Sequence, residues 1–295
     1  MRSLSFLVGV LFSVQVFAQQ TSTQTVSSVN VNTGVSATNV TEADLSKKSN
    51  FGFLVVSAIE VAADDFRDRN SNAALSTTNG IGMTYKISSD SKVGIRQYFT
   101  YLKDVDKGNK FDMASTTLTY SKKFAGFLGS DEVNPVIWYY LPTTEKAIQD
   151  RSNGKLRATV FISWTINPKW SFTYFLDPRQ SFLPTSVGPD GSEVFSHSTW
   201  IHGGSFSYNF SDTFSIYQGI GTTEDMRTSS LTLLDESLDV STGMYITLGK
   251  VLLIPDITNS VATRKSAERP VARSISSTLF RAEETTYSLS MLANF

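Results

Sequence analysis

The sequence predicts an all-β fold: a single transmembrane, antiparallel, up-and-down β-barrel of about twelve strands, within a range of about ten to fourteen. Three observations predict it. Apolar residues recur with a period of two from Phe51 to the end of the chain. The connections between these periodic segments alternate between short turn-forming stretches and longer polar ones. Beyond the amino-terminal segment, no run approaches the roughly 18 consecutive apolar residues that a membrane-crossing helix needs, so a chain that enters a bilayer enters it as strands.

The amino terminus reads as an export signal. Arg2 supplies the basic start, Leu4 to Phe17 the apolar run, and Val16-Phe17-Ala18 the small-residue cleavage site. Residues 1–18 are therefore expected to be a cleaved signal peptide, with the mature chain beginning at Gln19. Residues 19–49 are rich in Ser, Thr, Asn, Gln and Val and contain no aromatic residue. So little apolar surface does not offset the entropy of ordering, and this stretch is expected to be a flexible, disordered periplasmic segment. The barrel is expected over 50–295.

Facing is clearest in two segments. Over 81–87, Ile81, Met83, Tyr85 and Ile87 share one face, opposite Gly82, Thr84 and Lys86; over 156–166, Leu156, Ala158, Val160, Ile162, Trp164 and Ile166 oppose Arg157, Thr159, Phe161, Ser163 and Thr165. Similar segments are expected near 51–63, 77–87, 91–103, 111–122, 133–142, 154–166, 168–178, 198–210, 212–222, 230–247, 249–258 and 284–295. Those near 51–63, 133–142 and 249–258 alternate poorly. Pro135, Pro142 and Pro255 weaken two of them further, because proline has no N–H for the ladder.

The short connections are Ser88-Ser89-Asp90, Asn167-Pro168-Lys169, Ser211-Asp212 and Gly249-Lys250, all turn-forming chemistry. Longer ones fall near 64–76, 104–110, 143–153, 179–197, 223–229 and 259–283, and 123–132 is an intermediate exception on the short side. An even strand number puts both chain ends on the short-turn, periplasmic side. Tyr85, Tyr120, Trp164, Tyr208 and Phe210 end descending strands, while Trp138, Trp170, Phe172 and Phe214 begin ascending ones. They are expected to form an outward aromatic girdle near the short turns.

The chain closes on Thr286-Tyr287-Ser288-Leu289-Ser290-Met291-Leu292-Ala293-Asn294-Phe295, with Tyr287, Leu289, Met291, Ala293 and Phe295 on one face. An alternating apolar strand with a carboxy-terminal Phe resembles the recognition signal of Gram-negative bacterial outer-membrane β-barrel proteins. The resemblance implies a closed antiparallel barrel in the cell outer membrane, with Tyr287, Leu289, Met291 and Phe295 read by the barrel assembly machinery. It names no solute, since barrels of this size include narrow diffusion channels, exporters' pores and lipid-modifying enzymes.

Composition excludes several chemistries. With no cysteine, lipid anchoring through an N-terminal thiol, disulfides and thiolate catalysis are absent, and a net charge of −1 provides no field for nucleic acid. No cofactor or metal site is expected. The stretch Asp68-Arg69-Asn70-Ser71-Asn72 imitates the start of a calcium loop, but Ala73 stands where its glycine belongs and Asn79 where its bidentate acid belongs. Of the two histidines, His202 lies on a strand near Ser205, as in an outer-membrane lipid hydrolase, yet their parities put them on opposite faces; His197 falls in a loop. Catalysis is not expected.

The inner face carries the informative residues. Parity turns Lys86, Lys92, Arg96, Lys155, Arg157, Asp177, Asp235 and Asp239 into the barrel, where they escape the roughly 2–4 kcal/mol that a lipid-facing Arg or Lys costs near the midplane. Basic residues of the second, third and sixth strands then face acidic ones of the tenth across a lumen, with Gly94, Gly203, Gly219, Gly221 and Gly243 leaving free volume. Opposed charges across a narrow passage orient and select polar solutes. The connection 259–283 adds Arg264, Lys265, Arg269, Arg273 and Arg281 against Glu268 and Glu283, with Glu284 just beyond it, as a solvated outer loop. The expectation is a narrow porin-like channel for small polar solutes, with outer-membrane lipid around it. The alternative is a closed structural or surface-interaction barrel acting through its outer loops.

Overall fold

A computed structural model of the chain describes residues 50–62, 75–104, 108–149, 152–183, 197–227, 232–264 and 285–295. The signal peptide, the 19–49 segment, the calcium-like loop up to Asn72 and most of the 259–283 connection lie outside the described residues.

Strands β1 (Phe51–Ala62), β2 (Leu75–Lys86) and β3 (Ser91–Asp104) form a meander. The next stave is built from three pieces, β4 (Gly108–Met113), β5 (Thr117–Lys122) and β6 (Phe124–Ala125). It is followed by β7 (Glu132–Tyr140), helix α1 (Glu145–Gln149), β8 (Lys155–Thr165), β9 (Trp170–Ser181), β10 (His197–Ser211), β11 (Phe214–Arg227), β12 (Thr232–Leu248), β13 (Val251–Arg264) and β14 (Thr285–Asn294). Each strand pairs antiparallel with its sequence neighbours, and β1 pairs with β14, so the ring closes as a twelve-stave barrel. At the seam, the Phe53 N–H donates to the Phe295 carbonyl and the Phe295 N–H to the Phe53 carbonyl, both at 2.9 Å.

The outer face is apolar along most of its height. Phe53, Ile81, Met83, Ile95, Leu118, Ile137, Ile216, Met244, Ile257 and Leu289 are large, exposed and regularly spaced, an arrangement that suits hydrocarbon rather than water. Apart from the interrupted fourth stave, every strand meets the roughly 9–11 residues that a tilted membrane strand requires. No helix among the described residues is long and apolar enough to cross a membrane. Near the short turns the outward aromatics pack ring against ring: Trp164 with Phe172, Trp170 with Tyr208, Phe172 with Phe206, and Phe210 with Phe214. The girdle omits Trp138, which pairs with Arg157 on the inner face; β7 is too irregular for its parity to be read from sequence alone.

The expected strands and the observed ones differ mainly at their outer ends. β11 runs on to Arg227 and β13 to Arg264, while β3 and β4 extend until only 105–107 separates them. Proline does not end β7 or β13, since Pro135 pairs with Val160 and Pro255 with Leu289. Its effect falls on the neighbouring stave. The ladder between the fourth stave and β7 resumes at Val133 after breaking beside Pro135, and the Lys123 N–H turns away to the Asp90 carbonyl at 2.7 Å. A second break, at 114–116, is bridged by Gln97: its amide donates to the Ala114 carbonyl at 2.6 Å and accepts from the Thr116 hydroxyl at 2.6 Å. In the turn between β2 and β3, the Ser88 hydroxyl donates to the Asp90 carboxylate at 2.5 Å and holds that carboxyl below the usual carboxylate range.

Candidate functional site: the inner wall of the barrel

Two sectors divide the inner wall. Over the periplasmic half of β11 to β14 and β1 it is apolar, with Tyr217, Tyr245, Leu252, Ile254 and Leu292 in one buried cluster and Leu54, Val56 and Ala58 with Tyr98 in another. Glycine permits this packing at two places. A Cβ at Gly243 would stand 2.5 Å from the Tyr217 hydroxyl, and one at Gly80 2.5 Å from the Tyr98 ring, so each tyrosine lies flat across the neighbouring strand. The volume expected from Gly243 is thus filled, and Tyr217 reaches over it to donate to Asp256.

The second sector is charged, and register arranges it as a circuit nearer the outer rim. Trp138 pairs with Arg157, Arg157 with Arg179, Arg179 with Thr199, Thr199 with Asp225, and Asp225 with Asp235. Basic groups on β8 and β9 therefore give way, within two strands, to acidic groups on β11 and β12.

Asp177 is the hinge of the basic side and is fully buried. Its Oδ1 accepts from Arg157 Nε at 2.8 Å and from the Thr159 hydroxyl at 3.0 Å; its Oδ2 accepts from Arg179 Nε at 3.1 Å and Nη2 at 2.7 Å. Asp177, expected only to point into the barrel, is thus held by the basic wall itself. Desolvated charge of this kind persists only when paired and hydrogen-bonded, and both carboxylate oxygens are saturated here.

Trp138 carries the other half of the basic cluster. The guanidinium carbon of Arg96 lies 4.6 Å from the centre of a Trp138 ring and that of Arg157 5.2 Å, so two cations share one indole. Arg96 Nη1 also donates to the Tyr98 hydroxyl at 3.4 Å, whereas Arg96 Nε and Trp138 Nε1 are shielded from solvent and meet no acceptor among the described residues. Lys155 lies two residues before Arg157 on the same face, and Tyr140 pairs with it.

The remaining expected residues lie apart. Lys86 and Lys92 pair with each other in register at the periplasmic ends of β2 and β3. Asp235 is exposed at the acidic end of the circuit. Asp239 is fully buried between Gly221 and Ser260, and the Ser260 hydroxyl donates to its Oδ1 at 3.0 Å. Arg179, Trp138, Asp225, Asp256 and Glu60 are polar inner-face residues that the sequence reading missed. Extending the 168–178 segment by one residue would have found Arg179 by its parity with Asp177.

His202 and Ser205 do not meet. The His202 ring bonds the Thr222 hydroxyl at 2.8 Å on the outer face, while Ser205 is buried on the inner one. Among the described residues there is no group of His, Asp or Glu that would hold a metal ion.

With this geometry in view, solved structures offer a comparison. The chain is similar to the COG4313 outer membrane channel from Pseudomonas putida F1, at 12% identity over 85% of this chain and 97% of that one, with a TM-score of 0.55. It is also similar to the NanC porin, at 6% identity over 81% and 98% of the two chains with a TM-score of 0.48, and to the KdgM porin, at 9% over 82% and 99% with 0.44. At such identities the likeness is one of fold, and the first of these shows it as the fold of an outer-membrane channel. No protein-family model and no curated protein matches the chain.

Proposed function

We propose that this barrel is a narrow channel that lets small polar solutes cross the outer membrane passively, without catalysis. The observation that carries the reading is the register circuit on the inner wall, where Arg157 and Arg179 pass within two strands to Asp225 and Asp235. A row of basic and then acidic charges along the wall of a confined passage sets a field that orders dipolar solutes and ions. The fold shared with the Pseudomonas channel supports it, and the separation of His202 from Ser205 removes the motive for a hydrolase reading.

In this reading Lys86, Lys92, Arg96, Lys155, Arg157 and Asp235 line the passage, with Asp177 holding two of its cations and Asp239 buried within the wall. Removal of residues 1–18 during export, and recognition of Tyr287, Leu289, Met291 and Phe295 by the barrel assembly machinery, complete it.

One observation favours a second reading. Asp177 and Asp239 are fully buried and tyrosines fill part of the inner wall, as in a barrel packed by its own side chains that works through its outer connections. Planar-bilayer recording of the folded full chain decides between the two. A channel gives discrete conductance steps, and Arg157→Gln shifts its anion-to-cation preference toward cations. A folded sample that gives no steps overturns the channel.

A further inference from the structure

Two buried donors on the inner wall, Arg96 Nε and Trp138 Nε1, reach no acceptor among the described residues. Such groups are rare, because a buried N–H without a partner forfeits its bond to water and gains none in return. Both belong to one cluster, since the Arg96 and Arg157 guanidinium groups lie over the same indole, 4.6 and 5.2 Å from ring centres.

The charge of the cluster points the same way. Lys155, Arg157 and Arg179 gather about Asp177, whose two oxygens are already taken by Arg157, Thr159 and Arg179, and Arg96 joins them through the Trp138 ring that it shares with Arg157. The next carboxylate along the circuit, Asp225, is two strands farther on, accepts from the Thr199 hydroxyl at 2.5 Å and adds its attraction to Lys155, so the four cations face two carboxylates. Donors without acceptors and cations without enough anions describe one missing chemical partner, a compact oxyanion.

We propose that Arg96, Trp138 and Arg157 form a binding site for a small oxyanion, a carboxylate or a phosphate, on the inner wall of the barrel. The proposal rests on the channel reading in making this the point where a solute is selected. Arg96 and the indole N–H supply two directed donors, and Arg157, braced by Asp177, supplies the charge behind them. A planar guanidinium matches the two oxygens of a carboxylate or phosphate, and charge-assisted bonds of this type are the strong ones. An uncharged solute of the same shape gains neither the charge term nor acceptors on both sides.

The test uses the full chain folded in detergent micelles, with calorimetry and intrinsic tryptophan fluorescence followed as a probe is added at low salt. The probes are succinate, inorganic phosphate and succinamide, the last being the uncharged twin of succinate. Saturable binding of succinate or phosphate is expected, with succinamide weaker by about tenfold or more. The tighter of the two oxyanions tells carboxylate from phosphate.

Arg96→Gln should weaken the oxyanion about tenfold, and Trp138→Phe, which keeps a ring but removes the N–H, should weaken it by a smaller factor. Neither variant disturbs the bonds of Asp177, and heat-modifiable electrophoretic mobility verifies that each is folded. Absence of binding to the folded chain, equal binding of succinamide, or unchanged affinity in folded Arg96→Gln overturns the site. Bilayer recording keeps the two proposals separate: conductance without oxyanion binding removes the site and leaves the channel, whereas binding without conductance removes the channel and leaves the site.

Discussion

Asp177 holds two guanidinium groups with one carboxylate in a place that water does not reach. Asp177→Asn would keep the shape but strip the charge, leaving Arg157 and Arg179 side by side. Breaking a buried pair in this way is expected to destabilise the barrel by about 3–5 kcal/mol, read as a lower denaturant midpoint of the folded protein in micelles. An unchanged midpoint would mean that neither arginine depends on Asp177. Arg157 and Asp177 were legible in the sequence because their strands alternate cleanly. Glu60 and Asp256 were not, and the reason is physical: the inner faces of β1 and β13 carry Leu54, Val56, Leu252 and Ile254, so both faces of those strands are apolar and parity loses its contrast. Trp138 was misassigned because aromatic residues near a membrane rim usually face lipid, and this one instead packs under two cations.

Among the elements, the fourth stave is the irregular one. At its break, 114–116, Gln97 on the outer face of β3 bonds the Ala114 carbonyl and the Thr116 hydroxyl. Hydropathy alone would favour an apolar residue at a lipid-facing position. Gln97→Leu is nevertheless expected to cost about 1–3 kcal/mol, because it strands the Ala114 carbonyl and the Thr116 hydroxyl in a setting with little water. Equal or greater stability of the variant in a urea titration would refute this. Strand positions were legible to within a few residues over most of the chain, since each strand presents many alternating positions to the reader. The interior breaks were not, because they arise from a partner strand, as Pro135 on β7 shows, and not from the residues that break.

On the scale of the whole molecule, the ring joins β1 to β14 through a register running from Leu54 with Asn294 to Ala62 with Thr286, extended by the paired backbone bonds of Phe53 and Phe295. Deleting Phe295 removes both of those bonds and an aromatic side chain at the periplasmic rim. The truncated chain is expected to refold into micelles more slowly and in lower yield, measured as the fraction that acquires heat-modifiable mobility. Refolding at the parent rate would show that the seam closes without its last residue. The fold itself was readable from periodicity and connection lengths, which reflect the bilayer's demand on every strand. The solute was not, since it depends on how a few inner residues from several strands meet.

The same seam has a consequence for time. Its two edges lie at opposite ends of the strand sequence, so every intermediate before the final pairing carries two unsatisfied rows of N–H and C=O groups. A contact of such sequence separation forms late and slowly, because the chain must first lose most of its freedom. Until β14 pairs with it, β1 has to be kept from neighbouring chains that would pair with it equally well. The hazard is thus greatest just before completion, and it ends when the two edges meet.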